Sequence, residues 1–166
     1  DLEDSILPKD KEEARAAVSY TRYPPAGVRG VAGTTRATRF GRIKDYAKRA
    51  HEEICVLVQV ETQGALDNIE AICAIEGVDG VFIGPADLAA SMGHLGEPTH
   101  ADVRGAIEAA LDTIKKAGKA PGILCSDEAL ARHYIDAGAR FVAVGVDTSL
   151  LVRATSELAQ KFKSPP

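Results

Sequence analysis

Cysteine is scarce: Cys55, Cys73 and Cys125 stand far apart, with no CxxC pair and no spacing that would hold a zinc ion. That excludes a disulfide-stapled scaffold or a zinc ribbon and leaves thiols of a core kept reduced, as in a cytoplasmic protein. Long apolar runs are also missing. None approaches the roughly 20 residues that a membrane span requires, and neither a signal peptide nor a membrane partner is expected. An excess of basic charge is lacking too, with 20 Lys and Arg against 24 Asp and Glu and a net charge of −4. Without a basic face, nucleic acid is not an expected partner. A small anionic substrate would then be held by local charge, either a metal or a few arginines. Methionine occurs once, at Met92, and the chain opens on Asp1. The sequence is therefore expected not to begin where translation begins.

What is present is ordinary for a folded domain. Of 166 residues, 45% are apolar and 27% charged, enough for one core, and a single α/β domain over residues 1–166 is expected. Cys55 to Val60 is a β-branched run too short for a helix. Gly64 to Ile75 carries Leu66, Ile69, Ile72 and Cys73 at helical spacing. Val78 to Gly84 reads as a strand. Ala101 to Ala117 is a long amphipathic helix with Val103, Ile107, Ala110, Leu111 and Ile114 on one side, stopped by Gly118. Ala120 to Cys125 is a strand, Glu128 to Ala137 a helix closed by Gly138, Phe141 to Val146 a strand, and a last helix runs to about Phe162. The strands are nearly continuous apolar runs, which belongs to parallel sheets buried on both faces. Strict β–α alternation points to an α/β fold, either a barrel or a doubly wound sheet. Earlier, Asp1 to Leu7 is a possible strand and Lys11 to Arg22 a helix. An arginine-bearing loop spans Arg29 to Arg42, and a further helix lies near Ile43 to His51. Four strands, or five with the first, cannot close an eight-stranded barrel.

In such folds, ligands gather at the carboxyl ends of the strands. Glu61 ends the first clear strand, and Gln59, two positions earlier, points to the same side. Asp87 follows the second strand within Gly84-Pro85-Ala86-Asp87. Two carboxylates on neighbouring strand ends can ligate one hard dication, which can polarise a ketone. On spacing alone the bland reading competes. Glu61 would serve the next helix N-terminus and Asp87 would cap a short helix beginning at Leu88. The turn at Gly84, Pro85 and Ala86 can also aim backbone N–H groups at a carboxylate. His94 and His100 flank the following loop and could act as bases, although loop histidines are more often merely solvated; His51 and His133 read as surface residues. Arg36, Arg39 and Arg42 suit an acidic group or a neighbouring subunit, against the reading of a solvated stripe.

The segments Arg22-Tyr23-Pro24-Pro25-Ala26-Gly27-Val28-Arg29-Gly30, Val56 to Thr62, Gly77 to Leu88, Gly118 to Leu124 and Phe141 to Asp147 together resemble the HpcH/HpaI aldolase family. They do so in family order, from about Glu13 to Phe162. The resemblance implies a (β/α)8 TIM barrel of the phosphoenolpyruvate/pyruvate type, of which this chain would form an incomplete part with four to five parallel strands. It implies a class II aldolase of aromatic catabolism that cleaves or forms 4-hydroxy-2-oxo acids, for example 4-hydroxy-2-oxoheptanedioate to pyruvate and succinic semialdehyde. Glu61 and Asp87 would be its metal ligands, for Mg2+, Mn2+ or Co2+. Gln59 would contact pyruvate, and the Gly84-Pro85-Ala86-Asp87 turn would hold the pyruvate carboxylate through the amides of Ala86 and Asp87. Homo-oligomers are the family habit. The family's Asp-x-Glu-His segment with its general base, and its arginine on the next strand, are not found, so no base is assigned here. Two other readings stand beside this one: a non-catalytic or partner-dependent half-barrel, and a citrate-lyase-β-like lyase of acyl thioesters suggested by Asp1-Leu2-Glu3-Asp4-Ser5.

Overall fold

The computed structural model describes residues 11–163. Four short strands form one parallel sheet in the order β1-β2-β3-β4: β1 (Leu57–Val60), β2 (Gly80–Ile83), β3 (Ala120–Leu124) and β4 (Phe141–Ala143). The order follows the chain without reversal. A doubly wound sheet would change direction at a switch point, whereas a barrel winds on steadily, so this order matches barrel-type winding. The sheet is not closed. The possible strand at Asp1 to Leu7 lies outside the described residues.

Helices α1 (Lys11–Thr21) and α2 (Tyr46–Glu53) precede the sheet. Between β1 and β2 the chain forms α3 (Gln63–Asp67) and α4 (Ile69–Cys73), not the single helix expected from Gly64 to Ile75. The break is at Asn68, whose φ of −103° and ψ of 7° leave the helical region. Its side-chain amide donates to the Gly64 carbonyl at 2.8 Å, the local bonding by which Asn competes with helix continuation. After β2 come α5 (Pro85–Ser91) and α6 (Ala101–Lys116), then α7 (Glu128–Ala137) follows β3 and α8 (Asp147–Lys163) follows β4. Gly138 ends α7 with φ of +111°, in the left-handed region that favours glycine, as its position in the sequence predicts. The last strand stops at Ala143, short of the expected Val146. Among the described residues it pairs only with β3, so half of its backbone bonding capacity has no strand to extend along.

The register decides which side chains share a face. Val58, Val81 and Pro121 are partners, as are Val60, Ile83 and Ile123. This face packs under the helices in one core with Ile72, Val103, Ile107, Leu111 and Ile114, all nearly or wholly buried. The opposite face carries Leu57, Gln59, Phe82, Gly122, Leu124 and Phe141. Here the expectation of burial on both faces does not hold. Leu57, Leu124 and Phe141 are exposed, and α8 has no buried residue. One face is covered and the other is open in this chain.

Candidate functional site

Gln59 and Glu61 stand on the open face at the carboxyl end of β1. Glu61 is nonetheless 6% exposed, one of the few buried charged or polar residues described. Its Oε2 accepts from the Gln59 side-chain amide, as the two-residue spacing along a strand allows. Its other wall is Gly84. A Cβ built there would lie 2.5 Å from Glu61 Oε2 and 3.2 Å from Gln59 Nε2, so the absence of a side chain is what leaves room for the carboxylate. The Gly84 amide donates to the Val60 carbonyl at 3.1 Å, which holds the two strand ends together.

Gly84 is also the N-cap of α5, with Pro85 at its first position. Pro there lacks only an N–H that would have gone unpaired, and its fixed φ starts the helix. Asp87 therefore sits inside the first turn and not at a cap before Leu88, correcting the capping expectation. It is exposed, while Leu88 and Ala89 beside it are buried and anchor the helix. A second tie runs from the Gln63 amide to Ser91 Oγ at 3.0 Å, fastening the far end of α5 to the segment after Glu61. The structure thus sets Gln59, Glu61, the Gly84-Pro85-Ala86 turn and Asp87 on two adjoining strand ends. The donor set is oxygen from carboxylates with one amide beside them, which suits a hard dication.

The other candidates go elsewhere. His133 Nε2 meets Glu108 Oε1 at 2.9 Å between α7 and α6, and His51 is an exposed helix residue. Arg36, Arg39 and Arg42 are exposed in their loop, in keeping with a solvated stripe. Arg29, by contrast, lies over the Tyr23 ring at 4.7 Å and near the Tyr46 ring at 5.9 Å. A hollow of about 760 Å3 beside Arg22, Pro24, His51 and Gly77 opens where β2 begins, at the opposite end of the sheet from Glu61. The thiols of Cys73 and Cys125 are pushed up by burial, which suits core residues and not nucleophiles. Asp1 to Ser5, which carried the acyl-thioester reading, lies outside the described residues.

His94 and His100 do come together. Their rings stack with centroids 3.7 Å apart and planes 17° from parallel. The sequence holds the signal for this, an His-x2-Glu-x2-His spacing that reading the histidines one at a time passes over.

A sequence model described as HpcH/HpaI aldolase/citrate lyase matches residues 6–154. The chain belongs to the HpcH/HpaI aldolase/citrate lyase family. Among its relatives, the 4-hydroxy-2-oxo-heptane-1,7-dioate aldolase of Shigella sonnei is 56% identical over 155 residues, covering 93% of this chain and 59% of the relative. That of Klebsiella pneumoniae is 56% identical and covered to 58%. The crystal structure of an HpcH/HpaI aldolase/citrate lyase family protein from Burkholderia cenocepacia superposes with a TM-score of 0.87 at 45% identity, over 95% of this chain and 63% of that one. An HpcH/HpaI aldolase from Desulfitobacterium hafniense gives 0.84 at 27% identity, covering 96% and 62%. The chain thus spans about three fifths of the length of these family members.

Proposed function

We propose that this chain supplies the metal- and keto-acid-binding part of a class II pyruvate aldolase, a carbon–carbon lyase acting on 4-hydroxy-2-oxo acids with pyruvate and a small aldehyde as products. The observation that carries the reading is the buried Glu61 carboxylate, lodged against Gly84 one strand away from the helix bearing Asp87. Glu61 and Asp87 would hold the divalent ion, Mg2+, Mn2+ or Co2+. When bound, the ion supplies Lewis-acid polarisation of the keto-acid and stabilises enolate charge. The Gln59 amide hydrogen-bonds Glu61 Oε2, which orients the carboxylate, and its place on the same face lets it contact pyruvate. The first turn of α5 presents backbone N–H groups at Ala86 and Asp87 without intrahelical partners, suited to the pyruvate carboxylate. The kinship with 4-hydroxy-2-oxo-heptane-1,7-dioate aldolases supports the substrate class, with succinic semialdehyde as the aldehyde product. A cytoplasmic setting suits the free Cys55, Cys73 and Cys125. Among the described residues no helix is long and apolar enough to cross a membrane.

The test is release of pyruvate from a 4-hydroxy-2-oxo acid with each metal and after chelation, beside Mn2+ binding measured calorimetrically. Glu61→Gln and Asp87→Asn should each weaken Mn2+ binding by about 100-fold or more, beyond what loss of an outer-shell partner gives. Activity that survives thorough chelation would rule the mechanism out.

A second reading concerns assembly. The open face with Leu124 and Phe141 exposed, and α8 with Leu150, Leu151 and Phe162 exposed, favours a sheet that works with further elements, in a homo-oligomer or with a partner chain. Sedimentation showing an active, stable monomer would eliminate it.

A further inference from the structure

The loop joining α5 to α6 gathers a second set of metal-ligating side chains that the proposed aldolase chemistry does not use. His94, Glu97 and His100 bring one ligand atom each to within 4.8 Å of one another, the only such group among the described residues. We propose that His94, Glu97 and His100, with Asp102 beside the two histidines, form a binding site for a borderline divalent cation of the zinc type, separate from the Glu61 and Asp87 pair. This inference does not rest on the aldolase reading.

The backbone builds the site by repetition. His94 N–H donates to the Ala89 carbonyl at 2.7 Å, Glu97 N–H to the His94 carbonyl at 2.9 Å and His100 N–H to the Glu97 carbonyl at 3.0 Å. Turns three residues apart therefore place residues 94, 97 and 100 in succession. Gly93, just before His94, and Gly96, just before Glu97, take left-handed conformations with φ of +86° and +81°. The side chains of His94 and His100 are 24% and 34% exposed, so the ring faces are largely covered while the site stays open to an entering ion.

The ligand atoms would have to draw in around an entering ion. Bonds of about 2.0 Å put ligand atoms roughly 3.3 Å apart around zinc. Asp102 Oδ2 lies 3.5 Å from His94 Nε2 and 3.7 Å from His100 Nδ1, close to such edges before any ion enters. Glu97 adds an oxygen from within 4.8 Å of both histidines. Two imidazoles with carboxylates select zinc, cobalt, nickel or copper over magnesium, which prefers oxygen and its own waters. The rings stack nearly parallel with centroids 3.7 Å apart, so they must tilt for their in-plane nitrogen lone pairs to converge on one ion. One existing contact competes, the 3.3 Å bond from the Asp102 amide to His100 Nδ1 that caps α6. It is long for a hydrogen bond and easily exchanged for a metal bond. An ion here would brace the loop between α5, which carries Asp87, and α6.

The experiment titrates Co2+ and Zn2+ into the full chain, reading cobalt ligand-field absorption, zinc binding heat and the histidine ring NMR resonances. One site that zinc takes from cobalt is expected per chain, beside any Co2+ held by Glu61 and Asp87, with ring shifts confined to His94 and His100, and affinity falling as pH drops because protonated imidazole cannot ligate. His94→Gln and His100→Gln should each abolish the cobalt bands, and Asp102→Asn should weaken binding by about tenfold or more. Glu61→Gln should leave the bands unchanged. Circular dichroism of each variant, together with Glu97→Gln as the mildest change, separates lost ligation from lost folding. Bands that persist in the His94→Gln/His100→Gln double variant, bands that vanish in Glu61→Gln, or no saturable zinc binding each overturn the proposal.

Discussion

At the scale of single residues, the candidate centre depends on a missing side chain as much as on the acids. Gly84→Ala would set a methyl group 2.5 Å from Glu61 Oε2 and 3.0 Å from Glu61 Cβ. We expect the carboxylate to be pushed out of its niche, with Mn2+ binding weakened by about tenfold or more, comparable to losing an outer-shell partner, and with helix content retained. Calorimetry and circular dichroism on the same sample check this, and unchanged Mn2+ binding would dissociate Gly84 from the site. The cysteines offer a second check. Cys55 is exposed, whereas Cys73 and Cys125 are buried with thiols raised by desolvation. In the native protein at neutral pH, iodoacetamide should label Cys55 first, with the other two reacting only on unfolding, as peptide mass mapping would show.

At the scale of elements, caps decide where short helices begin. Thr62 Oγ1 accepts from the Ala65 amide at 3.1 Å, and Asp127 Oδ1 accepts from the Leu130 amide at 2.8 Å. Thr62→Ala and Asp127→Ala should each cost about 1 kcal/mol of stability, measured by urea unfolding. The Thr62 cap matters beyond α3, since it follows Glu61 directly and the next residue, Gln63, is tied to Ser91 on α5. Loosening it should therefore weaken Mn2+ binding as well as stability, whereas the Asp127 change on α7 should leave Mn2+ binding alone.

At the scale of the whole molecule, stability comes from the covered face. Leu111 is 1% exposed in the core, so Leu111→Ala should cost about 2–5 kcal/mol. Leu151 on α8 is 65% exposed, so Leu151→Ser should stay within about 0.5 kcal/mol for the isolated chain. A much larger cost in concentrated solution than in dilute solution would show α8 buried by association. Alkaline pH acts on the core as a unit. Burial raises the thiols of Cys73 and Cys125 and the phenol of Tyr134, so the folded state keeps these protons to higher pH than the unfolded chain. Their contribution is whole below the unfolded values of 9.0 for the thiols and 10.0 for the phenol. It drains away as pH climbs from there through the folded values. Urea midpoints should hold steady from neutral pH to about 9 and fall beyond it, with a shallower fall in Cys73→Ala.

By itself the sequence determined the local structure and the kinship. The helical spacing of Val103, Ile107, Leu111 and Ile114, the stop at Gly138 and the apolar runs of the first three strands depend on contacts near in the chain, so they could be read directly. The motifs from Arg22 to Asp147 carried the family. Tertiary structure alone decided three things, because each depends on groups that spacing cannot bring together. It showed that Glu61 is buried against Gly84, which requires the parallel register of β1 on β2. It showed that only one sheet face is covered, since continuous apolar strands look alike whether one or both faces find a partner within the chain. It also stacked His94 on His100, which depends on two consecutive turns, at 94–97 and 97–100, and not on the character of either residue.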